Sequence, residues 1–251
     1  MIRTSTLPLI VLLAAVAAPL ATAAEQLEPG LSVSLIEDGL WMYRSEKDWG
    51  DGKPITANGL FVIGETSIAM LDTAWTDEQT AGLIDWAEER FGLPVKHVFA
   101  THWHWDRMGG MAEVNQRGIT GYALERSAEL GLENDIESPV VTFTTSVRVD
   151  LGDETIEAFY PGWGHTEDNT VVWLEGRRVL HGGCLIKGAN SKGMGYIDEA
   201  DLAAWPGSLD RVVERYPDAR LVVPGHGDVG ALSLVEHTRM LIERAGDADR
   251  H

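Results

Sequence analysis

Beyond residue 30 the chain runs in short apolar stretches broken by turn residues, and stretches with helical spacing join them later. Residues 31–36, 40–45, 57–63 and 67–71 predict four consecutive strands. Thr76-Asp-Glu-Gln79 is a capping box; Leu83, Ala87 and Phe91 then share one helical face until Gly92 ends it. A short buried strand is predicted at 95–99, and helices at 108–116 and 123–132. Strands are expected near 140–143, 146–149, 155–159, 170–174 and 178–180. A helix at 206–216, a strand at 219–223 and a helix at 232–245 close the chain. Strands first and mixed elements afterwards fit a layered α/β sandwich.

Residues 1–23 stand apart. One positive residue, Arg3, precedes an apolar run from Leu7 to Leu20 and the small-residue sequence Ala21-Thr22-Ala23. That is the layout of a secretory leader and its cleavage site. Pro8 and Pro19 interrupt the run, which is shorter than the ~20 residues of a spanning helix. The expectation is a cleaved signal peptide over 1–23, no membrane anchor, and a periplasmic mature protein over 24–251. That length suits one well-packed domain.

Charge narrows the partners. The chain carries −19, and −20 once Arg3 leaves with the leader (−19 − 1). Nucleic-acid binding depends on Lys and Arg meeting phosphates, so this balance excludes it as a main role. Nothing in the sequence suggests an obligate partner, and a monomer is expected.

Candidate chemistry sits in four segments, each beside a predicted strand. The first is His102-Trp-His104-Trp-Asp106-Arg107. In an extended stretch alternate side chains share one side, which predicts that His102, His104 and Asp106 converge. Two imidazoles and a carboxylate that close form a metal site or a costly buried polar cluster. The same alternation predicts that Trp103 and Trp105 point away into the core. The other segments are Gly164-His165-Thr166, His181-Gly-Gly-Cys184 and Pro224-Gly-His226. Together the four supply four candidate imidazole ligands, a carboxylate and a thiol, enough for two adjacent ions, with His181 as a possible neighbour of the site and not a ligand. Cys184 is the only cysteine, so it forms no internal disulfide; as a metal-bound thiolate it could persist in an oxidising compartment. Thiolate is soft and suits zinc better than magnesium or calcium.

The order His102-x-His104-x-Asp106, His165, Cys184, His226 resembles the class B β-lactamases of the metallo-β-lactamase superfamily, in the subclass with three histidines at its first zinc. Asn58-Gly-Leu60, Leu71-Asp-Thr73, Gly182-Gly-Cys-x-x-Lys187, Ala204-Trp-Pro206 and Leu221-Val-Val-Pro-Gly-His226 extend the likeness from about Leu31 to the C-terminal helix. The resemblance implies a four-layer αββα sandwich with its site at the edge of two packed sheets. It implies two Zn2+ per chain, the first on His102, His104 and His165, the second on Asp106, Cys184 and His226. It implies hydrolysis of penicillins, cephalosporins and carbapenems by a hydroxide between the ions, and hence antibiotic resistance. Asp106 would orient that hydroxide and Lys187 would grip the substrate carboxylate.

Other positions follow from the same likeness. Residues 45–56, with Trp49, resemble the family's mobile hairpin, and Asp72 is expected to fix a zinc-ligand imidazole. Arg107 stands where thioester-hydrolysing relatives carry a second-zinc histidine, and a guanidinium has no lone pair to give a metal. That favours the cysteine-ligand type over the alternative, an exported zinc hydrolase of thioesters, lactones or phosphoesters. One departure is Tyr196, which occupies the place of an asparagine that helps bind substrate; activity with an unusual substrate profile is expected.

Overall fold

The computed structural model describes residues 24–248, so the expected leader lies outside the described residues. Eight strands form one sheet in chain order: β1 (Glu25–Glu28), β2 (Leu31–Glu37), β3 (Leu40–Lys47), β4 (Ile55–Ile63), β5 (Ile68–Leu71), β6 (Val95–Phe99), β7 (Thr120–Leu124) and β8 (Val141–Phe143). The second sheet has β9 (Ser146–Asp150), β10 (Thr155–Phe159), β11 (Val171–Leu174), β12 (Val179–Gly183) and β13 (Leu221–Pro224) in the order β13-β12-β11-β10-β9. Six helices complete the described chain: α1 (Asp77–Phe91), α2 (Trp105–Met108), α3 (Met111–Gln116), α4 (Glu125–Glu133), α5 (Trp205–Arg215) and α6 (Leu234–Ala248).

Strand alternation builds the layers. In β5, Ile68 and Met70 face a core shared with Leu83 and Ile84 of α1 and Val114 of α3, while Ala69 and Leu71 face the other sheet. In β11, Val172 and Leu174 meet them there, while Val171 and Trp173 face Trp205 and Leu209 of α5 and Ile242 of α6. Three apolar cores thus separate four layers, α-β-β-α, as expected. Among the described residues no helix is long and apolar enough to cross a membrane.

Several expectations need correction. The helix placed at 123–132 is present as α4 but starts at Glu125, and the strand before it, β7, was not expected. β7 lies between β6 and β8, and its Gly121 admits Met111 and Pro139 so closely that a Cβ would lie 2.9 Å from the Met111 sulfur. Its buried face thus starts on a residue with no side chain, which hides the strand's alternation from the sequence. The helix placed at 108–116 is broken after Met108. A Cβ at Gly109 would meet the Trp75 carbonyl at 2.4 Å and one at Gly110 the Thr80 hydroxyl at 1.9 Å, so packing against these residues bends the chain there. The Thr76 cap forms, accepting the Gln79 N–H at 3.3 Å, but the Gln79 amide donates to the Glu46 carbonyl instead of closing the box.

Candidate metal centre

The site lies at the edge where β5 and β6 of one sheet approach β12 and β13 of the other. Leaving β6, the chain is pinned before its first histidine: the Thr101 N–H donates to Asp72 at 2.7 Å and its carbonyl accepts from the Thr170 N–H at 2.7 Å. His102 and His104 then sit in bends, and Asp106 lies in the first turn of α2. Convergence here comes from a loop running into a helix, not from strand alternation. That also divides the tryptophans: Trp103 packs in part against the core of β5 and α1, as expected, and Trp105 does not. Trp105 is 41% exposed, and Trp103 donates its indole N–H to Glu199 at 3.0 Å; both line the cleft.

Two triplets face each other across this edge. The His104 Nδ1 lies 3.1 Å from His102 Nε2 and 3.3 Å from His165 Nε2. Asp106 Oδ2 lies 3.0 Å from His226 Nε2 and 3.8 Å from the Cys184 sulfur. All six expected ligand side chains therefore meet in one place. Burial, with help from neighbouring imidazoles and Lys187, pushes the His102 and His165 pKa well below the usual histidine value, so these rings are neutral near pH 7. A neutral imidazole keeps one nitrogen as a bare lone pair. Lone pairs crowded at one point repel unless a cation accepts them, so the donors fit a metal. His226 donates through Nδ1 to the Thr56 carbonyl at 2.7 Å, which leaves Nε2 for an ion.

Arg107 organises the second triplet. Its fork reaches Asp106 at 2.8 Å, Asp72 at 3.0 Å, and the carbonyls of Asn58 and Gly225 at 2.7 Å each. Burial alone would raise the Asp106 pKa, but Arg107 and His226 outweigh it and hold this carboxyl well below the usual range. Asp72, with φ +67°, accepts from Thr101, Arg107 and His181. It fixes no expected zinc-ligand imidazole, so that expectation was wrong; it acts through the loop and through Arg107. The αL region is tolerated by Asp better than by most residues and marks a constrained position.

Around the triplets opens a cleft of about 680 Å³. A family model described as the metallo-beta-lactamase superfamily matches residues 52–226, a span that contains both triplets. The chain belongs to the metallo-β-lactamase superfamily. A type 2 metallo-β-lactamase of Bacillus cereus is 38% identical over 213 residues, covering 85% of this chain and 83% of that protein. The structure of a metallo-β-lactamase from Pontibacter korlensis superposes with TM-score 0.81 at 38% identity, covering 85% of this chain and 99% of that one. FIM-1 of Pseudomonas aeruginosa, solved in a mono-zinc form, gives TM-score 0.79 at 33% identity, covering 86% and 96%.

The other residues expected at the site line the same cleft. Lys187 holds its ammonium 5.3 Å above the Trp205 ring, and burial lowers its pKa. Tyr196 is 54% exposed, with its ring 5.6 Å from that of His104 and its hydroxyl 3.3 Å from Glu199. Trp49 of the β3–β4 loop meets Trp75 edge-on at 6.1 Å. Sequence reasoning missed Glu199, which also lies 3.3 Å from His104 Nε2. Its only signal was position, three residues after Tyr196.

Proposed function

We propose that this protein is a zinc β-lactamase that binds two ions per chain. His102, His104 and His165 would hold the first, and Asp106, Cys184 and His226 the second. The observation that carries this reading is the pair of adjacent triplets opening onto one cleft that also holds an ammonium. Zinc bound there supplies Lewis acidity toward a carbonyl oxygen and toward water. Asp106 is kept ionised by Arg107 and accepts a hydrogen from water, which fixes the oxygen's lone pair toward the substrate. Lys187 pairs with the substrate carboxylate and sets the amide across the triplets. Water then adds across the ring C–N bond: its oxygen joins the carbonyl carbon, and its proton ends on the ring nitrogen.

The test is hydrolysis of a chromogenic cephalosporin by purified protein, with and without a chelator. Turnover that stops with chelator and returns with zinc is expected. No turnover, or turnover indifferent to chelator, overturns the reading; turnover confined to thioesters or lactones favours the alternative hydrolase. Export belongs to the same reading: residues 1–23 act as a leader and 24–251 form one periplasmic catalytic domain. N-terminal sequencing of the exported protein should begin at Ala24.

A further inference from the structure

Outside the two triplets, the residues lining the cleft include two charged side chains, the ammonium of Lys187 and the carboxylate of Glu199. Glu199 is committed on one side only. Its Oε2 accepts from Trp103 Nε1 at 3.0 Å and lies 3.3 Å from His104 Nε2. Its Oε1 has the Tyr196 hydroxyl at 3.3 Å, long for an O–H···O bond, from a phenol that is itself exposed. One oxygen is thus tied inward and the other keeps acceptor capacity at the mouth, where the side chain is 36% exposed.

The rim around it is aromatic. Of eight exposed large apolar residues among those described, Trp49, Ile55, Trp105 and Tyr196 line this cleft, and Trp163 donates its indole N–H to the Glu199 carbonyl at 3.0 Å. An exposed apolar cluster of this kind marks a ligand surface, and ring faces attract cations. Lys47 already lies 5.6 Å over Trp49, so Trp105 and Tyr196 are the cleft rings free for a ligand.

The geometry points to a cation-accepting subsite built by Glu199 and this aromatic rim, which makes zwitterionic β-lactams the preferred substrates over dianionic ones. The inference rests on the function proposed above. The substrate carboxylate takes Lys187; a second carboxylate elsewhere on the molecule meets Glu199 without a cation, whereas a quaternary ammonium or pyridinium finds both a carboxylate and ring faces.

The experiment compares cephalosporins that share a nucleus and carry a quaternary ammonium or a carboxylate on the acyl side chain, using zinc-loaded mature protein. A KM about five- to tenfold lower for the cationic member is expected. In Glu199→Gln the two KM values should converge to within about twofold; taking the ratio inside one variant cancels any general loss through His104. In the unaltered protein, added salt should shrink the ratio, an arm that stands even if the variant does not fold. Equal KM values, a ratio that survives Glu199→Gln, or one indifferent to salt overturns the subsite while leaving the β-lactamase reading intact. Failure to hydrolyse either compound brings down both.

Discussion

The Arg107 guanidinium sits 2.8 Å from the Asp106 carboxylate, with both side chains almost wholly shut off from solvent. A buried ion pair contributes little net stability when complete, but removing one partner strands the other in a low-dielectric interior. Here Asp72 would be stranded as well, since the same fork holds it at 3.0 Å.

Arg107→Met should therefore cost about 3–5 kcal/mol and lower the melting midpoint by on the order of 10 °C. Arg107→Lys keeps the charge and loses the fork, so it should fall between the two. Thermal denaturation measures both. A midpoint for Arg107→Met within about 2 °C of the parent would show that the guanidinium does not hold this cluster together.

Gly225→Ala tests the packing behind the second triplet. The added Cβ would lie 2.7 Å from Arg107 Nη2 and 2.9 Å from the Cys184 sulfur. A destabilisation of about 1–3 kcal/mol is expected, with zinc per chain dropping toward one in metal analysis.

Cys184→Ser exchanges a soft thiolate for a hard hydroxyl. Zinc affinity at the second triplet should fall by at least about tenfold, and turnover with it. Retention of two zincs after dialysis, at the parent rate, would remove Cys184 from the ligand set.

Much of this centre was legible in the sequence, and for a local reason. Ligand types and their order are written along the chain, and the expected six do meet. What was not legible is how they meet. Alternation predicted a strand through His102–Asp106, but the backbone bonds of Thr101 to Asp72 and Thr170 pin the chain as it leaves β6, and a loop and helix follow. Those partners are 29 and 69 residues away, and no window of sequence contains them. β7 was missed because one of its inward positions is Gly121, which has no apolar side chain to mark the buried face.

Stability against pH should be two-sided in the zinc-free protein. Burial lowers the His226 pKa, but Cys184 and Asp106 outweigh it and raise the pKa to about 10. A raised folded value gives stability that is full below the ordinary 6.5 and is lost as pH climbs through about 10. His102 and His165 are shifted the other way, mainly by burial, so their cost appears as pH falls below 6.5. Melting midpoints across pH should decline on both sides, and His226→Gln should remove only the part of the alkaline decline between pH 6.5 and about 10. Burial also raises the pKa of Tyr43 and Tyr216, which keeps a decline above that. An alkaline limb unchanged in that variant would contradict the assignment.

Tyr196→Asn removes the ring that stands 5.6 Å from His104 and shortens the polar arm. Relative kcat/KM among penicillins, cephalosporins and carbapenems should reorder. An unchanged ranking would mean that Tyr196 has no part in substrate choice.

His102, His104 and Asp106 follow β6 of the eight-stranded sheet, while His165, Cys184 and His226 come from segments beside β11, β12 and β13 of the other. Each triplet therefore draws on both sheets, and neither sheet alone can complete one. An ion seated there works as a rivet through the seam of the sandwich. Starving the protein of zinc should loosen that seam before any helix unravels, so protease cuts near the cleft would be the first sign of metal loss.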